Sequence, residues 1–130
     1  MNVVTPDFSD IKQIVALINA DPAHLVPRTE DEIEVQLSQW RVIKVDRQVV
    51  ACGCFDYFSP RIAEVRSVIV HPDHRGRGYA DQIMQVLTQM ALPNQQVFVV
   101  TATPDFFRRH NFSECLGEKY ILFYKHVIKS

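Results

Sequence analysis

The stretch Val68-Ile69-Val70-His71-Pro72-Asp73-His74-Arg75-Gly76-Arg77-Gly78-Tyr79-Ala80 joins three signals in one order. A β-branched run ends in His-Pro, a polar loop carries two glycines and two arginines, and an amphipathic segment follows. β-branched residues favour a strand, and the spacing of Ala80, Ile83, Met84 and Leu87 favours a helix. The loop therefore sits at a strand-to-helix junction. The first N–H groups of such a helix have no intrahelical partners, and the helix dipole adds partial positive charge there. Glycine lets a ligand approach the backbone, while Arg75 and Arg77 add full charge. That combination suits a pyrophosphate. The competing reading is an ordinary glycine turn ahead of a helix. It is neither a dinucleotide fingerprint, lacking the third glycine and distant acid, nor a P-loop, lacking Gly-Lys-Ser/Thr.

Outward from this loop the chain punctuates itself. Met1–Val4 reads as a short strand. Ser9 is placed to cap a helix with Ile11, Ile14, Val15 and Ile18 in one stripe, which Asp21-Pro22 breaks. Thr29-Glu30-Asp31-Glu32 is a capping box, with Ile33, Leu37 and Trp40 as the buried face of a second helix. Strands follow at Arg41–Val45 and Gln48–Tyr57 around a turn at Asp46-Arg47, and at Ile62–Val70 after Ser59-Pro60. Beyond the loop helix, Pro93-Asn94 precedes a strand at Val97–Thr101. Thr103-Pro104-Asp105 reads as N-cap, first-turn proline and acid of a short helix ending at Asn111. Short strands near Phe112–Cys115 and Tyr120–Val127 finish the chain.

The 130 residues make about one domain, 1–130, large enough to bury a core. A formal net charge of −1 argues against a broad nucleic-acid surface. No apolar run reaches the roughly 18 residues of a membrane span, and no signal segment precedes residue 10, so a cytoplasmic protein is expected. Cys52, Cys54 and Cys115 read as free thiols. His24, His71, His74, His110 and His126 lack ligand spacing, so no metal is expected.

The spacing Arg75-x-x-Gly78-x-Ala80 after a strand ending in His-Pro resembles the acetyl-CoA-binding motif of the GNAT acetyltransferase superfamily. The order β-α-α-β-β-β-α-β-α-β matches that fold over essentially the whole chain. The resemblance implies an α/β (α+β) fold: a mixed sheet of six to seven strands, helices on both faces, and two parallel strands splaying apart. These would be Glu64–Val70 and Val97–Thr101. Three segments are similar to the acetyltransferase domain of N-acetylglutamate synthase: Leu25–Glu32, Val49–Cys54 and Glu64–Val70, the last with Ser67 in place of a cysteine.

Acetyl-CoA is the co-substrate that this resemblance implies. Its pantetheine arm would lie against Val68, Ile69 and Val70. Its pyrophosphate would lie on Arg75, Gly76, Arg77, Gly78, Tyr79 and Ala80, and Thr103 and Phe107 would also touch the co-substrate. Acetyl transfer needs a neutral amine, and an α-amino group titrating near pH ~8 is largely protonated at neutral pH. A carboxylate near the thioester removes that proton. Glu64 matches the superfamily's general base, and alternation would put residues 64, 66, 68 and 70 on one face. The competing reading is a solvated strand-end glutamate paired with Arg66 or Arg61. Phe107 stands where many members carry a proton-donating tyrosine, so Ser67 is taken as the candidate acid, with Thr101, Thr103 or water as alternatives. A carboxylate on the acceptor would call for a guanidinium fork, with Arg28 first and Lys125 or Arg61 after it.

The expected function is N-acetylation of an amine, plausibly a small amino acid such as glutamate. The partner is a small-molecule acceptor, with no nucleic acid and no membrane, and a homodimer can form through the C-terminal edge strand. Two rival readings are a non-catalytic acetyl-CoA sensor and an acetyltransferase for protein N-termini or lysines.

Overall fold

The computed structural model describes residues 3–21, 25–114 and 120–126. Met1, Pro22, His24, Cys115 and Val127 lie outside the described residues. The elements are β1 (Val3–Val4), α1 (Ile11–Asn19), α2 (Glu30–Val35), β2 (Trp40–Val45), β3 (Gln48–Tyr57) and β4 (Ile62–Val70). After them come α3 (Tyr79–Gln89), β5 (Gln96–Val100), α4 (Pro104–Arg108), β6 (Phe112–Glu114) and β7 (Ile121–Tyr124).

The strands form one seven-stranded sheet in the order β1-β2-β3-β4-β5-β7-β6. Every pairing is antiparallel except β4 with β5. That parallel pairing covers Ile62↔Gln96, Ala63↔Val97 and Glu64↔Phe98, then stops. Beyond Glu64 the two strands part, as expected. β4 keeps its antiparallel partner on the other side through Val70↔Ala51.

Helices cover both faces, each through its own apolar cluster. α1 and α2 bury Ile14, Ile18 and Ile33 against Trp40, Val42, Cys52 and Cys54. α3 buries Ile83, Met84 and Leu87 against Ala51, Phe55, Val65 and Val97, and α4 adds Phe107. The i, i+3, i+4 spacing of these residues is what turns each helix stripe toward the sheet.

Local chemistry explains most boundaries and corrects some expectations. Asp7, not Ser9, makes the first cap: its carboxylate accepts from the Ser9 N–H at 2.9 Å, with Asp10 closing a reciprocal box. The longer carboxylate at position 7 reaches the turn from outside it, which leaves Ser9 inside a 3₁₀ turn. Thr29 and Glu32 form the expected capping box, but α2 ends at Val35. Trp40 is therefore not helical; it opens β2 and is fully buried there. Asp46 and Arg47 both have positive φ (51° and 68°), the geometry of a tight hairpin turn matched to strand twist. Thr103 sits at the N-cap of α4 without a side-chain cap bond, because its hydroxyl pairs with Thr101 at 3.1 Å. Asn111, where the helix was expected to end, takes φ 67°, in the left-handed region.

One irregularity changes the site. Between Arg66↔Cys54 and Ile69↔Cys52, β4 has two residues where β3 has only Gly53. Ser67 in this bulge takes φ 57°. The extra residue reverses the alternation. Residues 64, 66, 68 and 70 therefore do not share a face: Ala63 and Val65 join Val68 and Val70 on the α3 side, whereas Ile69 joins the α1 side.

Candidate active site

Where β4 and β5 part, a cleft of about 1090 Å³ opens, running from the loop between β4 and α3 to the region below α1. One wall is β4 from Glu64 to Val70, and the other is Val99 to Thr103 with Phe106 and Phe107 of α4. The edge of β4 beyond Glu64 faces this space without a strand partner there. Its N–H and C=O groups are open to an extended ligand.

At one end, the loop is shaped by two left-handed glycines, Gly76 at φ 78° and Gly78 at φ 79°. A Cβ at either would meet nothing within 4 Å. The space in front of the backbone is thus open, and φ alone selects glycine. Gly78 is the N-cap of α3 and offers no capping side chain. The N–H groups of Tyr79, Ala80 and Asp81 precede the first i→i−4 bond, which runs from Gln82 N–H to Gly78 C=O at 3.0 Å. Arg75 folds back, its Nε donating to the Val70 carbonyl at 3.2 Å. It borders the cleft, whereas Arg77 is exposed and outside the lining. His71 N–H bonds the Val50 carbonyl, and its Nδ1 accepts from Asp73 N–H, so its part is to hold the turn. These residues fit a diphosphate: unpaired N–H groups, no blocking side chain and an adjacent guanidinium.

Asp81, in the first turn of α3, also lines the cleft. Its carboxylate takes Arg109 at 3.0 Å and His110 Nε2 at 2.7 Å. Partial burial raises its pKa, and the His110 and Arg109 hydrogen bonds outweigh that, holding it below the usual range. Its negative charge is met by the Arg109 guanidinium. No local signal marks this tie, because Asp81 is 28 residues away in sequence from Arg109. Arg108 instead pairs with Asp105 and Glu114.

At the other end Glu64, its side chain 17% exposed, faces the cleft. Burial pushes its carboxyl up; Arg66 opposes this, Asp56 adds to it and Arg28 opposes it. Asp56 is buried and accepts from Arg66 Nη1 and from Gln36 Nε2, each at 2.9 Å. Nothing in the sequence marked Asp56, since its partners come from α2's end and from β4. Arg66 Nε lies 3.7 Å from Glu64 Oε1.

Arg28 lies behind this group. Its backbone is clamped by Asn19, with Arg28 N–H donating to Oδ1 at 3.2 Å and Nδ2 donating to the Arg28 carbonyl at 3.3 Å. Its guanidinium sits 5.5 Å over the Trp40 ring, and the residue is 6% exposed. Among the described residues, Nε and Nη2 are buried without a hydrogen-bond partner, as is the Trp40 indole N–H. Arg28 itself is buried and is not among the residues lining the cleft, and orphaned buried donors of this kind are costly.

The other expected residues divide. Val68, Ile69, Val70, Ser67, Tyr79, Ala80, Thr103 and Phe107 all line the cleft. Phe107 is packed edge-on against Phe106 and Phe112. Lys125 is exposed, with its N–H on the Asn111 carbonyl, and it does not line the cleft. It lies past Phe123, whose partner Phe98 marks the closed end of the parallel pair. Arg61 is outside the lining as well. Phe55 is core; Phe58 is exposed and stacks near Phe98. Cys52 and Cys54 are buried free thiols. No group of metal-ligating side chains occurs among the described residues, and none of their helices is long and apolar enough to cross a membrane.

A sheet split by two parallel strands, with a diphosphate-ready helix N-terminus at one end and a partly buried carboxylate at the other, defines an acyl-CoA-type transferase domain. Residues 36–114 match the family model of the acetyltransferase (GNAT) domain, and the chain belongs to that family. It is 30% identical over 109 residues to an amino-acid acetyltransferase of Haemophilus ducreyi, covering 79% of this chain and 25% of that protein. A Mycobacterium tuberculosis amino-acid acetyltransferase is 39% identical over 72 residues, 54% of this chain and 41% of that protein. The chain thus spans about a quarter of the first of these relatives. A Mycobacterium tuberculosis protein solved with CoA superposes at a TM-score of 0.82 and 28% identity, over 90% of this chain and 74% of that one. N-acetylglutamate synthase from Neisseria gonorrhoeae, solved with coenzyme A and N-acetyl-glutamate, gives 0.83 at 18% identity, over 94% and 34%.

Proposed function

We propose that this chain, as one domain over residues 1–130, is a cytoplasmic N-acetyltransferase that moves acetyl from acetyl-CoA to the amine of a small amino acid, with glutamate the first candidate. The observation that carries this is one cleft joining the phosphate-ready loop to Glu64. Names of relatives support the amino-acid reading.

In this reading the diphosphate rests on the N–H groups from Arg75 to Ala80, and the pantetheine arm runs along the open edge of β4. The thioester then lies near the end of the parallel pairing, beside Glu64. The acceptor enters from the α1–α2 side, its carboxylate on Arg28. Glu64 takes a proton from the ammonium, directly or through water. The freed lone pair attacks the thioester carbonyl carbon, and the oxyanion is met by open N–H groups of β4. As the tetrahedral adduct collapses, the C–S bond breaks, the nitrogen gives up its second proton to the departing thiolate, directly or relayed by Ser67 or water, and the neutral amide and CoA thiol remain. A carboxyl already shifted upward is better matched to removing an amine proton near neutral pH.

The test is CoA-thiol release from acetyl-CoA across amino acids, polyamines and short peptides, with Glu64→Gln beside the native protein. Acceptor-dependent release that falls about 10²–10⁴-fold in the variant is expected. Acetyl-CoA binding without release for any acceptor would overturn the enzyme reading and favour the sensor. Release with peptides alone would overturn the amino-acid reading.

A further inference from the structure

Asp56 is buried beneath the cleft wall, and its position explains the setting of Glu64. Asp56 and Glu64 are directly opposed across β3 and β4. Two carboxylates facing each other in a partly dry site repel unless a cation is shared. Arg66 is that cation. It sits two residues along β4 from Glu64, on the same face, because the bulge begins only after it. Its Nη1 bonds Asp56 at 2.9 Å, while its Nε is 3.7 Å from Glu64. The fork is therefore committed to Asp56 and only approaches Glu64. Gln36 fixes the other oxygen of Asp56 at 2.9 Å, so the carboxylate cannot swing toward the cleft.

We propose that Asp56 is a positioning residue for the acetyl transfer: by holding Arg66 it keeps Glu64 free to take a proton rather than locked in an ion pair. The inference rests on the reading of Glu64 as the base. The other groups facing Glu64 are few. Arg28 comes from the segment before α2, Asp21 borders the same cleft after α1, and Cys54 on β3 is a neutral thiol pushed up to about 12 by burial. The partner on β5 is Phe98, which carries no charge. Arg66 is therefore the cation whose position Asp56 controls.

The geometry makes opposite demands on two variants. In Asp56→Asn the shape is kept and the charge lost, so the Arg66 charge falls on Glu64 alone. The Glu64 titration then moves to lower pH by about one unit. In Arg66→Gln the two carboxylates face each other unscreened, and the titration moves to higher pH by a similar amount. A residue that merely supported the fold would not shift Glu64 in both directions.

The experiment is an NMR pH titration of the free protein labelled at glutamate carboxyl carbons, the Glu64 signal being the one missing from Glu64→Gln. The acid limb of kcat/KM is followed beside it in the same variants. Opposite displacements in both readouts support the proposal. A Glu64 signal that stays put, or moves the same way in both variants, overturns it. So do shifted signals with an unshifted kinetic limb. If Asp56→Asn does not fold, Arg66→Gln decides alone: an upward move supports and no move overturns. A native protein without transfer, whose Glu64 signal still moves both ways, would instead overturn the acetyltransferase reading and leave the coupling intact.

Discussion

Replacing Gly53 by alanine puts a methyl group where the sheet and α3 are closest. Gly53 has an ordinary φ, so backbone strain plays no part and packing alone decides. The added Cβ would lie 2.7 Å from Ile83 Cγ2, 2.9 Å from Leu87 Cδ1 and 3.4 Å from Val68 Cγ2. Ile83 and Leu87 are fully buried. The Ile83 methyl is fixed by its branched Cβ and cannot swing aside, so α3 must lift. Overpacking of this kind costs about 1–3 kcal/mol, and the stiffer unfolded chain returns about 0.4–1 kcal/mol. A net loss of about 1–2 kcal/mol lowers Tm by about 3–10 °C for a chain of this size. Thermal unfolding by circular dichroism measures it. Because α3 carries the N–H groups of the loop, CoA affinity by calorimetry should fall in step. An unchanged or raised Tm would refute the reasoning, since it would mean that α3 stands clear of β3. Gly76→Ala is the counterpart: no atom lies near its Cβ, so only the left-handed φ is penalised, at about 1–2 kcal/mol.

Three further outcomes are expected. Arg28→Met removes a buried charge with two orphaned donors among the described residues, so Tm rises, while KM for a carboxylate acceptor rises about tenfold or more and that for its amide does not; melts and steady-state kinetics check both. Glu64 is raised in the folded state, so its contribution to stability is full below the unfolded carboxylate pKa and is lost as pH rises through the folded value. Glu64→Gln should therefore melt at or above the native protein at neutral pH, an advantage that disappears in acid. Cys52 and Cys54 are pushed upward by burial, Cys54 to about 12. Neither is modified by a thiol reagent in the native protein, as peptide mapping would show, and both are modified after unfolding.

The strand–loop–helix around Gly76 and Gly78 was legible because every cause is local: β-branching, two glycines, and an apolar repeat that turns one helix face inward. The capping box at Thr29 and the helix stop at Asn111 were readable for the same reason. What the sequence concealed is non-local. Asp56 reads as a polar residue at the end of a strand, and only the pairing of β3 with β4 brings Arg66 to it. Asp81 reads as a helix-surface acid until α4 folds over it. Trp40 fits a helical stripe by spacing, yet the helix stops at Val35 and the indole is buried as the first residue of a strand. Strict alternation along β4 was a sound expectation that failed at one residue, because a bulge leaves no mark in composition.

That residue has consequences for the chemistry. Were β4 regular, Glu64, Arg66, Val68 and Val70 would all face α1, and Ile69 would face α3. The bulge at Ser67 instead leaves the charged pair on the α1–α2 side and returns Val68 and Val70 to the α3 side. One strand thus gives the cleft a polar stretch at Glu64 and Arg66 and an apolar stretch at Val68 and Val70. The cost is a non-glycine residue at φ 57°, about 1–3 kcal/mol of local strain. Gly53, opposite, is the complementary half of the device: without a side chain it admits both α3 and the displaced Val68. A glycine that looks like a weak point in a strand and a serine in a disfavoured conformation therefore belong to one arrangement. Together they let the two ends of the cleft present different chemistry along a single β-strand.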